Sequence, residues 1–152
     1  MAENPEQLSC VLIPVQDTTL LLPNVSIAEI VDYEPDPADE DQEWVLGRLQ
    51  WRGVSLPVLS WEAADGGDPF PPEGRRGRIL VLNTITEHHE SMPFLAMATR
   101  GIPRQAKVSP DELRREPEAA GDATLMAVVF EGEHCVIPDM SVLEDLAQRA
   151  AG

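Results

Sequence analysis

The chain has 152 residues, with 27 acidic side chains against 11 basic ones and a formal net charge of −16. That length suits one domain, or two small lobes on one chain, with a core large enough to need no disulfide or metal staple. The charge argues against nucleic acid and anionic membrane as partners. It fits a solvating acidic surface or a face for a basic partner equally well.

Two cysteines, Cys10 and Cys135, lie in apolar runs and are expected as buried free thiols. The start, MAENPEQLS, lacks the basic and apolar regions of a signal peptide. No apolar run approaches the ~18 residues of a membrane span. A soluble, cytoplasmic protein without direct membrane insertion is expected.

Residues 8–15 and 18–22 predict a first hairpin around Gln16-Asp17, with Pro14 marking an edge or a bulge. Residues 24–33 carry two signals. Ser26-x-x-Glu29 has the form of a capping box, while Ile30, Val31 and Tyr33 favour strand. One helical turn leading into a strand satisfies both. Residues 34–43 are acidic, with two prolines, and read as a loop.

Residues 44–61, WVLGRLQWRGVSLPVLSW, read as strand, tight turn, strand. Leu49 and Trp51 share one face, with Arg48, Gln50 and Arg52 on the other. Arg52-Gly53 supplies the turn, with Gly53 free to take positive φ. Ser60 is placed to cap a short helix through Ala64. Residues 65–78, dense in Gly and Pro, read as a linker between a first lobe at 8–64 and a second at 79–139.

Residues 79–82 predict a strand buried on both faces. A polar tip at 86–91 leads to a strand at 94–98, and residues 105–108 form another short strand. Ser109-Pro110-Asp111-Glu112 starts a short helix. Residues 125–130 and 134–137 form a last hairpin around Glu131-Gly132-Glu133. Ser141-x-x-Glu144 caps a final helix at 141–150, with Val142, Leu143, Leu146 and Ala150 on one face. The connections read as hairpins, so the fold class is mainly β and antiparallel.

Chemistry is poorly provided for. His88-His89 and His134-Cys135 are adjacent pairs that point to opposite faces of a strand, and no C-x-x-C or H-x-x-x-H spacing occurs. The acids Asp36, Asp39, Glu40, Asp41 and Glu43 lack the spacing of a calcium loop. No nucleophile elbow occurs. No catalytic residue, metal or cofactor is expected.

The hairpin also carries a resemblance. Gly47-Arg48-Leu49-Gln50-Trp51-Arg52-Gly53, then Leu56-Pro57-Val58-Leu59-Ser60, resembles the G-x-(I/V)-N-x-R-G and P-(V/I)-x-D pattern of CheW-like chemotaxis scaffolds. Gln50 stands for Asn and Ser60 for Asp. Trp51 before Arg-Gly, Ser60-Trp61-Glu62 and Ile137-Pro138-Asp139 are similar to the ChpC-type adaptors of pilus and twitching-motility chemosensory clusters. The likeness covers roughly residues 8–148. It implies two small SH3-like antiparallel β-barrel lobes with short helices and a C-terminal helix.

The resemblance implies a non-enzymatic adaptor that couples the cytoplasmic tip of a chemoreceptor to the regulatory domain of a CheA-like histidine kinase. Exposed strand faces would dock the kinase and a groove would take a receptor helix. Arg52 and Gly53 match the family's receptor-binding turn, and Gly47 matches the Gly before it. Ile27-x-Glu29-Ile30 matches a (V/I)-x-E-(I/V) segment whose acid helps contact the kinase. By the residues alone, Arg52 is an ordinary exposed cation, Glu29 a capping acid, and Ile27 or Ile30 core. Ala96 to Ile102 departs from the family's Gly-x-x-V-D-x-V, and Met97 within it is core filler or an adaptable contact. A scaffold that localises or inhibits one partner outside a kinase array is the nearest alternative. A small acidic hydrolase is the alternative from another class.

Overall fold

Inner strands of this protein have no polar face, because both faces are covered. The computed structural model describes residues 7–37, 42–69, 71–72, 76–117 and 120–151. Asp39, Glu40, Asp41 and part of the expected linker lie outside the described residues.

The first hairpin is β1 (Leu8–Val15) and β2 (Thr18–Pro23), turned at Asp17 with φ 65°. A 3₁₀ turn at Asn24–Ser26 runs into β3 (Ile27–Asp32), as the mixed signals there require. The central hairpin is β4 (Val45–Trp51) and β5 (Val54–Leu59). Ser60 caps α1 (Trp61–Ala64) by accepting from Ala63 N. Then follow β6 (Arg78–Asn83), β7 (Phe94–Thr99) and β8 (Arg104–Val108). The expected helix at Ser109 is only a 3₁₀ turn at Pro110–Glu112, complete with its capping box, before β9 (Leu113–Arg115). The chain closes with β10 (Thr124–Phe130), β11 (Glu133–Pro138) and α2 (Met140–Ala151).

Two sheets result. The terminal sheet has the order β8-β1-β2-β11-β10-β9, and the middle sheet β3-β6-β7-β5-β4. This corrects two expectations. The sheets do not divide at the linker into 8–64 and 79–139. Instead β1 and β2 join the last strands, while β3 to β7 form the other sheet. Nor is the pairing wholly antiparallel, since β2–β11 and β5–β7 are parallel ladders. Hairpins are local and visible in sequence; a ladder between strands distant in the chain is set by which apolar faces meet.

Three apolar clusters fill the molecule. A shared core takes Val11, Ile13 and Leu20 from the terminal sheet, Leu80, Leu82, Leu95 and Met97 from the middle sheet, and Leu143 and Ala147 from α2. A second cluster lies against the other face of the terminal sheet, with Leu12, Leu21, Val128 and Phe130. A third lies against the other face of the middle sheet, with Trp51, Val58, Ile79, Val81 and Ala96. Successive residues of β1, β6 and β7 therefore alternate between two apolar clusters, which explains their unbroken hydrophobic runs. Each fully buried Leu or Ile contributes about 1.5–3 kcal/mol. Met97 is core.

Pro14 sits in β1 beyond the stretch, Leu8 to Leu12, that pairs with β8, so its missing N–H costs that ladder nothing. Gly47 lies buried in β4 beneath a strap at Pro35 and Asp36, where Asp36 and Arg48 exchange backbone hydrogen bonds of 2.7 and 2.8 Å. A Cβ there would stand 2.5 Å from the Asp36 carbonyl oxygen and 2.9 Å from Pro35 Cβ. Gly47→Ala is expected to destabilise by about 1–3 kcal/mol in urea denaturation. A neutral result would mean that the strap yields without cost.

Candidate functional site

The β4–β5 turn and strand β3 build the site. Arg52 and Gly53 both hold positive φ, 48° and 80°, the pairing of a type I′ turn. Arg52 was expected on the face opposite Trp51. The left-handed backbone instead lets its guanidinium fold back, 4.4 Å from the Trp51 ring centroid. Trp51 itself is 5% exposed and meets the Phe94 ring edge-on at 4.7 Å.

Glu29 completes the cluster, and a bulge is what aims it. The register of β3 on β6 shifts between Ile27, opposite Leu82, and Glu29, opposite Val81. The extra residue sends Ile27 toward the shared core while Glu29 and Val31 follow on the Trp51 side. Glu29 Oε1 accepts from Trp51 Nε1 and from Arg52 Nη2, each at 3.2 Å. Glu29 is therefore no capping residue; Ser26 ends a turn whose cap lacks any side-chain bond.

Magnitudes assign the roles. The Arg52 and Glu29 side chains are 68% and 40% exposed, so their ion pair contributes at most about 1 kcal/mol. The cation over the indole adds a similar amount, ~0.5–1 kcal/mol at an exposed site. Burial of Trp51 is the large quantity. Trp51 holds the turn, and Glu29 and the indole fix where the Arg52 charge stands.

Beside this cluster lies an open cleft of about 430 Å³. Trp51, Arg52, Val54 and Pro57 line it from the central hairpin, Met92 and Phe94 from the segment that enters β7, and Gln148 from α2. Of the residues singled out in sequence, Glu29, Arg52 and Gly53 are brought together. Ile30, 43% exposed, stands next to Glu29 on the strand that ends the middle sheet. Ile27 faces the core. Gly47 is four residues along β4 from Trp51, roughly 13 Å away. Sequence reasoning missed Met92 and Phe94. Only the turn carried a local signal; the Met92 loop is 40 residues downstream.

The other polar groups are engaged structurally. In a cleft of about 390 Å³ lined by Glu62, Asp65, Glu116 and His134, Glu62 accepts from Gln16 N, and Asp65 from Ala123 N and Thr124 Oγ1. His134 Nδ1 donates to Glu116 at 2.6 Å. Among the described residues no three His, Cys, Asp or Glu side chains converge as a metal site. No described helix is long and apolar enough to cross a membrane.

Cys135 and Cys10 are buried free thiols. Burial, with Glu133 adding and Arg104 opposing, pushes Cys135 up to about 11 from 9.0. A thiol raised in the folded state favours folding fully below its unfolded value near 9.0, and that contribution is lost as pH rises through about 11. Alkylation of the native chain at about pH 8 should therefore be far slower than after unfolding. Prompt native labelling would contradict the burial. Trp51→Ala should cost ~3–5 kcal/mol in chemical denaturation. A loss under ~1 kcal/mol would mean that Trp51 does not anchor the turn.

A search among curated proteins finds no match. Among solved structures, the crystal structure of the scaffolding protein TtCheW from Thermoanaerobacter tengcongensis has a TM-score of 0.71 at 12% identity, over 91% of this chain and 88% of that one. At that identity the likeness is one of fold, and it covers both sheets. The profile of the CheW-like domain matches residues 9–147, from the first strand into the last helix, so this chain belongs to the CheW-like domain family.

Proposed function

We propose that this protein is a non-enzymatic cytoplasmic adaptor that couples chemoreceptors to a CheA-like histidine kinase. The observation that carries the reading is the Glu29–Trp51–Arg52 cluster at the rim of an apolar cleft. A fixed cation beside exposed Val54 and the Pro57 and Phe94 walls suits an apolar helix that carries an acid at one end. In this reading the cleft takes the receptor's cytoplasmic tip, with Arg52 and Gly53 as contacts. Glu29 and the exposed Ile30 offer the free side of β3 to the kinase regulatory domain. Ile27 and Gly47 support these surfaces from beneath.

The setting we favour is a pilus or twitching-motility system of the ChpC type. Trp51 before Arg52-Gly53, the Ser60-Trp61-Glu62 run and Ile137-Pro138-Asp139 support that choice. Control would come from holding two partners in one array, with no covalent step.

Arg52→Asp tests the reading cleanly. Asp tolerates the left-handed turn better than most residues, and the side chain it replaces is largely in water. The variant should keep its fold by circular dichroism and lose association by about tenfold or more. Pull-down with the kinase and with a receptor cytoplasmic fragment reads the result. Normal recovery of both partners by a folded Arg52→Asp chain would sink this assignment. A loss of twitching on gene deletion would support the pilus setting, and normal twitching would remove it.

A further inference from the structure

Glu144 sits in α2 with 0% of its surface exposed, yet among the described residues it forms no ion pair. It had looked like the acid of a Ser141 capping box. The helix is capped by Asp139 instead, whose Oδ1 accepts from Ser141 N at 3.0 Å. Glu144 points the other way, into the loop between β6 and β7. It accepts from Ile85 N at 2.8 Å, from Thr86 N at 3.2 Å and from the Thr86 hydroxyl. A carboxylate taken out of water needs such donors, and here the loop supplies them. A second tie lies one residue on, where His88 Nε2 donates to Asp145 at 2.7 Å.

The same loop continues into the lining of the cleft. Buried Thr84 donates its hydroxyl to Met92 O at 2.7 Å and its amide to Pro93 O at 3.0 Å. Met92 N donates to His88 O at 2.7 Å. Met92 lines the cleft at the end of this loop, with Phe94 following it at the start of β7 in edge-on contact with Trp51. Three hydrogen-bonded steps thus join Glu144 to a cleft residue it never touches.

We propose that Glu144 is a positioning residue for partner binding: it fastens the 84–92 loop to α2 and so sets where Met92 stands along the cleft. The loop lies largely in water, with Ile85 69% exposed, so without the fastening Met92 would be held only at the base of the loop, while Phe94 stays fixed by the β7 ladders and by Trp51. This proposal rests on the reading of the cleft as the seat of a receptor tip.

The test compares four full-length variants with the parent chain: Glu144→Ala, Glu144→Gln, Thr86→Val and, in the central hairpin, Val54→Asp. The binding probe is a soluble fragment carrying the cytoplasmic tip of a chemoreceptor from the same organism. Hydrogen–deuterium exchange reads the Thr84 and Met92 amides. Glu144→Ala should speed their exchange and weaken fragment binding about tenfold. Glu144→Gln, which keeps one acceptor oxygen, should recover most of both effects, with Thr86→Val between them. A helix-packing role alone would lower Tm without that graded recovery. If Val54→Asp weakens binding while Glu144→Ala and Thr86→Val bind normally, this proposal fails and the adaptor reading stands. If Val54→Asp binds normally, the cleft is not the seat and both fall. Should Glu144→Ala not fold, normal binding and normal exchange in Thr86→Val are enough to overturn the proposal.

Discussion

Burial of both faces of the inner strands is the constraint on which this molecule depends. Strands β1, β6 and β7 each send alternate residues into the shared core and into a cluster of their own sheet. Such a strand has no solvent face to relax into. A one-residue slip would exchange Leu80 and Leu82 with Ile79 and Val81, moving every side chain to the other cluster. Two sheets of fixed register, with α2 laid against the core between them, follow from that exchange being costly.

The rigidity matters because the candidate site is made from pieces that do not adjoin in the chain. The turn at Arg52 comes from the end of β4, Glu29 from a bulged strand at the edge of the sheet, and Phe94 from the start of β7. Each is exposed or half-exposed where it acts, and the polar contacts among them are individually weak. Their mutual placement is inherited from the buried ladders behind them. Weak, exposed polar contacts on a stiff support hold a charge in place while leaving it in reach of solvent.

Helix α2 has two tasks. Its apolar stripe, Leu143 and Ala147, fills the shared core. Its polar side holds neighbouring segments: Glu144 and Asp145 grip the 84–92 loop, while Trp44 Nε1 and Arg48 donate to the carbonyls of Leu146 and Ala150 in the last turn. The Arg48 bond satisfies a carbonyl of the last turn, beyond the reach of any helical N–H. The helix thereby ties the central hairpin to the loop that joins it in lining the cleft.

How much of this was legible depends on range. The hairpins at Gln16-Asp17, Arg52-Gly53 and Glu131-Gly132 were readable, because a turn is decided by the φ preferences of two or three neighbouring residues. The Ser60 cap was readable for the same reason. Of three carboxylates read as capping acids, Glu112 forms its box, while Glu29 and Glu144 turn to other donors. A capping box and a long-range acceptor have the same local spelling, and which one forms depends on donors 22 to 59 residues away.

By itself, then, the sequence determined most of the strands, their turns, the buried thiols and the Arg-Gly corner of the candidate site. Only the tertiary structure decided which strands share a sheet, that two ladders run parallel, and that Glu29 meets Arg52 over an indole. The physical reason is that local preferences choose a residue's backbone conformation. The choice of partner belongs to apolar faces that must close on one another, and those faces are joined only when the whole chain is folded.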